Sequence, residues 1–84
     1  MISDMESLNI DQHLDVKGLN CPMPVLRTKI VLTRMSAGQL LSVLTTDPHS
    51  VPDFRAFCEH TGHELIQINE TEGVFEFLIR RAQP

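Results

Sequence analysis

The stretch HLDVKGLNCPMPVLRTKIVLTRMSAG, residues 13–38, changes its hydrophobic period once, and that change decides the fold. From His13 to Lys17, Leu14 and Val16 alternate with polar neighbours, the two-residue period of a strand, and Gly18 ends the run. From about Pro24 to Met35 the period is that of a helix. Val25, Thr28, Val31, Leu32 and Met35 fall on one side, and Leu26, Ile30 and Thr33 point away. Proline is at home in a first helical turn, so Pro24 is the expected start. Ser36-Ala37-Gly38 stops the helix with a glycine suited to a left-handed cap.

The rest of the chain extends this unit. Leu40 to Thr45 is a nearly continuous apolar run, as in a covered strand. Asp47-Pro48 reads as a turn or helix start, with Asp47 or Ser50 as cap. Val51, Phe54, Phe57, Cys58 and Thr61 then share a helical face that Gly62 closes. Glu64–Asn69 and Val74–Arg80 alternate as strands around a loop, Glu70–Gly73. The order is βαβαββ. It predicts an α/β two-layer sandwich, a mixed four-stranded sheet with two helices packed on one face. A right-handed crossover makes the first two strands parallel and brings the segments Gly18–Cys21 and Thr45–His49 to one edge of the sheet. Residues 1–12, polar and without a period, are expected to be a flexible segment, and residues 13–84 one domain.

Composition narrows the function classes. A chain of 84 residues with two cysteines has no disulfide framework. It opens with no secretory pattern and holds no membrane-length apolar run, so the expected setting is the cytosol, with no membrane contact. A net charge of −4 argues against direct nucleic-acid binding. The charge is unevenly placed. Residues 16–46 contain no acid but hold Lys17, Arg27, Lys29 and Arg34, while acids prevail on both sides. The basic stretch therefore surrounds Cys21.

Cys21 stands between strand and helix, where a plain reading is a small apolar filler. Pro22 and Pro24 favour a different one. Each disfavours helical geometry in the residue before it, so Cys21 and Met23 are expected to be extended, on a stiff display. The amides of Val25, Leu26 and Arg27, the helix dipole, Lys17 and Arg27 are expected to lower the thiol pKa below its ordinary value of about 8.5. A nucleophilic, readily persulfidated cysteine is the outcome of that reasoning.

The segment Asp15 to Pro24, with an Asp and a Gly ahead of Cys-Pro-x-Pro, resembles the signature of the TusA (SirA-like) sulfur-carrier family. The likeness continues through Gly38, Asp47-Pro48 with Asp53 following, and Gly62-His63-Glu64-Leu65, so it covers about residues 13–81. It implies the same βαβαββ sandwich, and a Cys21 that accepts sulfur as a persulfide from a cysteine desulfurase or another donor protein. That sulfur would then pass to an acceptor protein, in tRNA 2-thiouridine thiolation or another sulfur-trafficking pathway. Such a relay needs no cofactor and has no independent turnover, and the chain is expected to be a monomer. Met23 stands where many relatives with a tRNA-thiolation role carry Glu, which leaves the acceptor open. Asp15, Gly18, Asn20, Pro22, Pro24 and Asp47 are the expected supports of Cys21.

Other residues have plainer readings. Cys58 is expected to be a buried structural thiol, with a redox partner as the alternative. Cys58, His60 and His63 lack the spacing of a zinc site, so no metal is expected. His49 reads as a solvated helix-start histidine near Cys21, with a proton-holding role in sulfur transfer as the alternative, and Asp47 as a helix cap rather than a catalytic acid. Asp15 is either a loop hydrogen-bond acceptor or the acid that the family motif carries. Leu26 and Ile30, with Lys17, Arg27 and Arg34 around them, form a candidate docking surface for partner proteins. Two other functions remain open: a thiol redox protein, weakened by the absence of Cys-x-x-Cys, and a regulatory protein-binding module with an incidental cysteine.

Overall fold

The computed structural model describes residues 9–83. The elements are β1 (Gln12–Asp15), α1 (Met23–Thr33), β2 (Leu40–Thr45), α2 (Ser50–Thr61), β3 (Glu64–Thr71) and β4 (Val74–Arg80). They form a four-stranded sheet in the order β1-β2-β4-β3. β1 runs parallel to β2, while β4 is antiparallel to both β2 and β3. This is the mixed sheet the sequence predicts.

Alternation on β2 and β4 explains where the helices lie. Register pairs Leu41 with Ile79 and Val43 with Phe77, so all four point to one face. Leu32 and Met35 close over them from the first helical segment, and Phe54 and Cys58 from α2, in one cluster of buried side chains. Phe54 stacks on Phe77 with ring centroids 4.3 Å apart. Burying side chains of this size contributes roughly 1.5–3 kcal/mol each. The same cluster includes Val16, just past the end of β1.

The expected flexible segment, residues 1–12, lies largely outside the described residues. Its last two residues belong to the sheet: Gln12 opens β1, and Asp11 exchanges two hydrogen bonds with Leu40, giving its amide to the carbonyl at 2.9 Å and accepting the Leu40 amide on Oδ2 at 2.8 Å.

Four local details differ from the sequence reading, each for a visible reason. α1 starts at Met23, not Pro24, so Met23 is helical where an extended residue was expected. Proline in the second helical position costs nothing there, because that amide has no helical partner anyway. α1 also ends earlier, at Thr33, where Arg34 and Met35 turn their amides to Val31 and Leu32, three residues back. The Leu32 carbonyl accepts a further bond from Arg81 Nε at 2.9 Å. Gly38 (φ 84°) consequently serves the Ser36–Gln39 turn and caps nothing. The β3–β4 hairpin turns on Glu72 and Gly73 alone, both with positive φ (51° and 82°), a two-residue primed turn that matches the strand twist. Thr61 faces solvent and gives its hydroxyl back to the Phe57 carbonyl at 2.7 Å. Gly62 (φ 88°) caps α2 as expected.

Candidate functional site

The parallel pairing of β1 and β2 places their C-terminal ends side by side, and the loops that follow are stitched together. Val16 continues the ladder beyond β1, its amide bonded to the Leu44 carbonyl at 2.9 Å. The Gly18 amide then donates to Thr46 Oγ1 at 2.9 Å, and the Cys21 amide to Asp47 Oδ2 at 2.7 Å. Gly18 adopts a φ of 86°, which a side chain would strain, and the chain turns there toward α1.

Cys21 lies at the tip of this turn, exposed. Its backbone is held from both directions, by Asp47 behind and by α1 ahead. The Cys21–Pro22 peptide is cis. The Met23 amide donates to the Asn20 carbonyl at 2.9 Å, and the Leu26 amide to the Pro22 carbonyl at 3.1 Å. Pro22 and Pro24 have no N–H to offer, which leaves the Val25 amide as the remaining donor of that first turn. Pro24 is buried and fixes the start of α1 against the sheet layer.

Asp47 does more than the sequence reading assigned to it. It is 93% shielded from solvent in a loop of otherwise exposed residues, its relative exposure being 7%. One carboxylate oxygen accepts the His49 amide (3.0 Å), the other the Cys21 amide (2.7 Å). No side chain caps α2, so Asp47 is not its cap but the anchor of the cysteine loop. These amides, His49 first and Cys21 second, hold the carboxyl below the usual carboxylate range, against the opposing effect of burial. His49 is solvated as expected, its Nδ1 3.1 Å from Asp47 Oδ1.

The expected electrostatics of the thiol are overturned. The Cys21 pKa is raised, first by the neighbouring Asp53 side chain, then by desolvation and by the negative charges of Asp53 and Asp47. Asp53 sits in the first turn of α2 and lines a groove of about 380 Å³ with Cys21, Pro22, Val25, Ala56 and Phe57. A second hollow, about 360 Å³, lies on the other side of Cys21 and is lined by Asn20, Asp47, Pro48 and His49. The cations do not reach the sulfur. Lys17 turns to Asp15, with Nζ 3.7 Å from Oδ2, and Arg27 is exposed on α1. Asp15 takes the loop role: its Oδ1 accepts the Lys17 amide at 3.0 Å.

Sequence reasoning missed two residues here. Thr46 was given no role, although a hydroxyl beside the Asp-Pro turn is a ready acceptor for a loop amide. Asp53 figured only as a landmark of the resemblance, because its approach to Cys21 depends on how the start of α2 packs against the start of α1.

Cys58 is buried in the core at 4% exposure, and burial pushes its thiol up to about 11. His63 accepts the Ala82 amide on Nδ1 at 2.9 Å, so that ring nitrogen is already in use. Among the described residues no group of three or more His, Cys, Asp or Glu side chains is placed to hold a metal ion, and no helix is long and apolar enough to cross a membrane. On α1, Leu26 and Ile30 are 46% and 49% exposed, as the helical phase predicts, and Met23 is 37% exposed beside them. Arg27, Lys29 and Arg34 are exposed around them, and none is in a salt bridge among the described residues.

Fold and site together define a small two-layer α/β domain that displays one thiol on a braced loop at the sheet edge. The chain belongs to the TusA family: the model of the family described as sulfurtransferase TusA matches residues 12–81. It is similar to the sulfur carrier protein TusA of Allochromatium vinosum, with 53% identity over 88% of this chain and 97% of that protein. It is also similar to the sulfur carrier protein TusA of Pseudomonas putida, with 42% identity over 92% of this chain and 96% of the relative. The crystal structure of a SirA-like protein from Desulfitobacterium hafniense superposes with a TM-score of 0.75 and 28% identity, covering 86% of this chain and 99% of that one.

Proposed function

We propose that this protein is a sulfur carrier that holds sulfur as a persulfide on Cys21. One observation carries the reading: the exposed Cys21, its amide fixed on Asp47 Oδ2 at 2.7 Å, is presented on the loop beyond the C-terminal ends of β1 and β2. Relatives that bear the name sulfur carrier protein over nearly the whole chain support it. In loading, Cys21 Sγ bonds to the outer sulfur of a donor's persulfide as the donor's S–S bond breaks and its thiol departs. In unloading, an acceptor thiol attacks the same outer sulfur, and Cys21 returns to a thiol. The sulfur atom moves without a net redox change, so the relay calls for no cofactor and has no turnover of its own.

The donor is a cysteine desulfurase or another persulfide-bearing protein, and the acceptor belongs to tRNA 2-thiouridine thiolation or another sulfur-trafficking pathway. Both partners meet the thiol edge-on, because the hollows beside Cys21 are too small to enclose a macromolecule. Leu26 and Ile30, rimmed by Arg27 and Arg34 with Lys17 near the loop, supply the docking surface within a turn or two of the sulfur. Gly18, Asn20, Pro22, Pro24, Asp15 and Asp47 hold the loop in shape.

Mass spectrometry after incubation with a cysteine desulfurase and cysteine tests the proposal. The wild-type chain and Cys58→Ser should gain the mass of one sulfur atom, and Cys21→Ser should gain none while keeping the wild-type melting temperature. Loading that survives Cys21→Ser but is lost in Cys58→Ser would overturn the assignment.

A further inference from the structure

A sulfur exchange needs a place for a proton. The nucleophile starts as a thiol and ends as a persulfide, and the donor sulfur leaves as a thiolate. Helix-start amides and a nearby cation would meet that need by ionising the thiol in advance, but the surroundings of Cys21 do the opposite. Of the groups lining the groove between α1 and α2, only Asp53 is charged. Its carboxylate makes no ion pair among the described residues. The other titratable groups near the sulfur come from the β2–α2 loop. Asp47 has both oxygens engaged with backbone amides, and the largely exposed His49 bonds to Asp47. From the α1 side no charged side chain lines either hollow. Asp53 is thus the carboxylate left without a hydrogen-bond partner beside the thiol among the described residues.

We propose that Asp53 is a catalytic residue of the sulfur exchange, accepting the Cys21 proton as the new S–S bond forms and returning it when the sulfur is handed on. This rests on the carrier reading of Cys21. During loading, Cys21 Sγ attacks the outer sulfur of the donor persulfide. The thiol becomes strongly acidic as it gives up electron density, and its proton passes to the Asp53 carboxylate. From there it moves to the departing donor thiolate. In unloading, the acceptor thiol's proton passes to Asp53 and then to Cys21 Sγ as that bond breaks. Each cycle leaves Asp53 ionised and consumes no oxidant or reductant. This is the pairing of a nucleophile with an adjacent base, in a groove otherwise walled by proline, valine, alanine and phenylalanine. The plain alternative is an acid in a first helical turn that serves only the helix dipole.

The two roles differ in their pH dependence. A chain with a built-in base can use the thiol form, so loading should persist below the thiol pKa; without the base, only thiolate reacts, and the rate falls about tenfold per pH unit. The measurement is the ratio of Asp53→Asn to wild-type loading rates with inorganic polysulfide at pH 6 and pH 9, followed by intact mass. The ratio cancels the donor's own titration. Asp53→Asn should load at least about tenfold more slowly at pH 6 and as fast as or faster than wild type at pH 9. At the same time its alkylation by iodoacetamide at neutral pH should speed up, because the acid that disfavours the thiolate is gone. Asp53→Glu, which keeps the carboxylate, should recover much of the pH 6 rate. Faster loading at both pH values would make Asp53 a mere brake on ionisation, and an equal loss at both would make it structural; either result overturns the proposal. Should Asp53→Asn fail to fold, Asp53→Glu decides alone: it must hold a pH 6 to pH 9 rate ratio close to wild type. A wild-type chain that gains no sulfur would instead overturn the carrier reading itself.

Discussion

Two cysteines in one small domain occupy opposite environments, although each lies in or beside a helix of the same layer. Cys58 is in the middle of α2, packed in a cluster with Phe54 and Phe77, and its thiol is pushed up to about 11 by burial alone. Cys21 is outside any regular element and exposed, and its thiol is raised first by the neighbouring Asp53 side chain, then by desolvation and the charges of Asp53 and Asp47. Both are therefore protonated at neutral pH, Cys58 through burial alone and Cys21 chiefly through a neighbouring acid. Burial shields Cys58 from every reagent. The acids beside Cys21 leave it open to a partner but slow to ionise without one. High thiol pKa and low reactivity thus need not coincide, and the difference lies in access. The burial of Cys58 also weakens the redox reading, since a thiol enclosed in the core cannot resolve an oxidised Cys21 without the core opening.

The largest effect expected from this contrast is in alkylation. At pH 8 only about one Cys58 in a thousand is ionised, and its burial suppresses reaction further. Iodoacetamide should therefore modify Cys21 alone in the folded chain, with an apparent pKa above the free-thiol value of about 8.5. A single reaction on Cys58, or a Cys21 titration well below that value, would break the comparison. The linkage is also signed. Because the folded Cys58 value exceeds the unfolded one, its contribution to stability is complete below about pH 8.5 and is lost as pH rises toward 11. Urea unfolding across that range should show the loss in wild type and a shallower one in Cys58→Ala.

A smaller effect, in stability, separates the two sides of α1. Leu32 is 1% exposed within the core, and Leu32→Ala should cost about 2–5 kcal/mol. Ile30 is 49% exposed, and Ile30→Asp should change stability by no more than about 0.5 kcal/mol. Ile30→Asp should nonetheless weaken the complex with the sulfur donor. If it unfolds the domain instead, the side chain is covered in solution and the docking surface lies elsewhere.

Much of this architecture was legible in the residues, because one face of each element had to be buried. The apolar run Leu40–Thr45, as in a covered strand, and the spacing of Thr28, Leu32 and Met35 on one helical face pointed to this arrangement of layers. The position of Cys21 followed from the same logic, since a β-helix-β crossover must leave its strand ends at one edge. Its ionisation did not. The basic run from Lys17 to Arg34 pointed to a lowered pKa, but charge along a sequence is not charge around an atom. Lys17 turns back to Asp15, and Arg27 faces outward from α1. The charged groups that reach the sulfur, Asp47 and Asp53, lie 26 and 32 positions away in the chain, brought there by packing that no local pattern encodes. The boundaries of α1 were missed for a similar reason: hydrogen bonds from Arg81 and within the loops, not propensity, set where it stops.

The smallest expected effect concerns the cations that the sulfur does not feel. Arg27, Lys29 and Arg34 lie on the exposed side of α1, unpaired among the described residues, with Leu26 and Ile30 between them. Since they do not serve the thiol, their remaining physical effect is on approach. A cationic helix beside acidic loops gives the chain a dipolar surface that attracts and orients an acidic partner face toward Cys21. Such steering acts over about a Debye length, roughly 10 Å at 0.1 M salt, and fades above it. Reversing Arg27 and Arg34 to Glu should therefore slow sulfur transfer from the donor several-fold at low salt, up to roughly tenfold, and flatten its salt dependence, with the melting temperature unchanged. Loading from inorganic polysulfide, a small anion that needs no docked interface, should slow much less. A variant impaired equally with both donors would show that these arginines act on the thiol after all, and the separation between the reacting edge and the steering helix would fall.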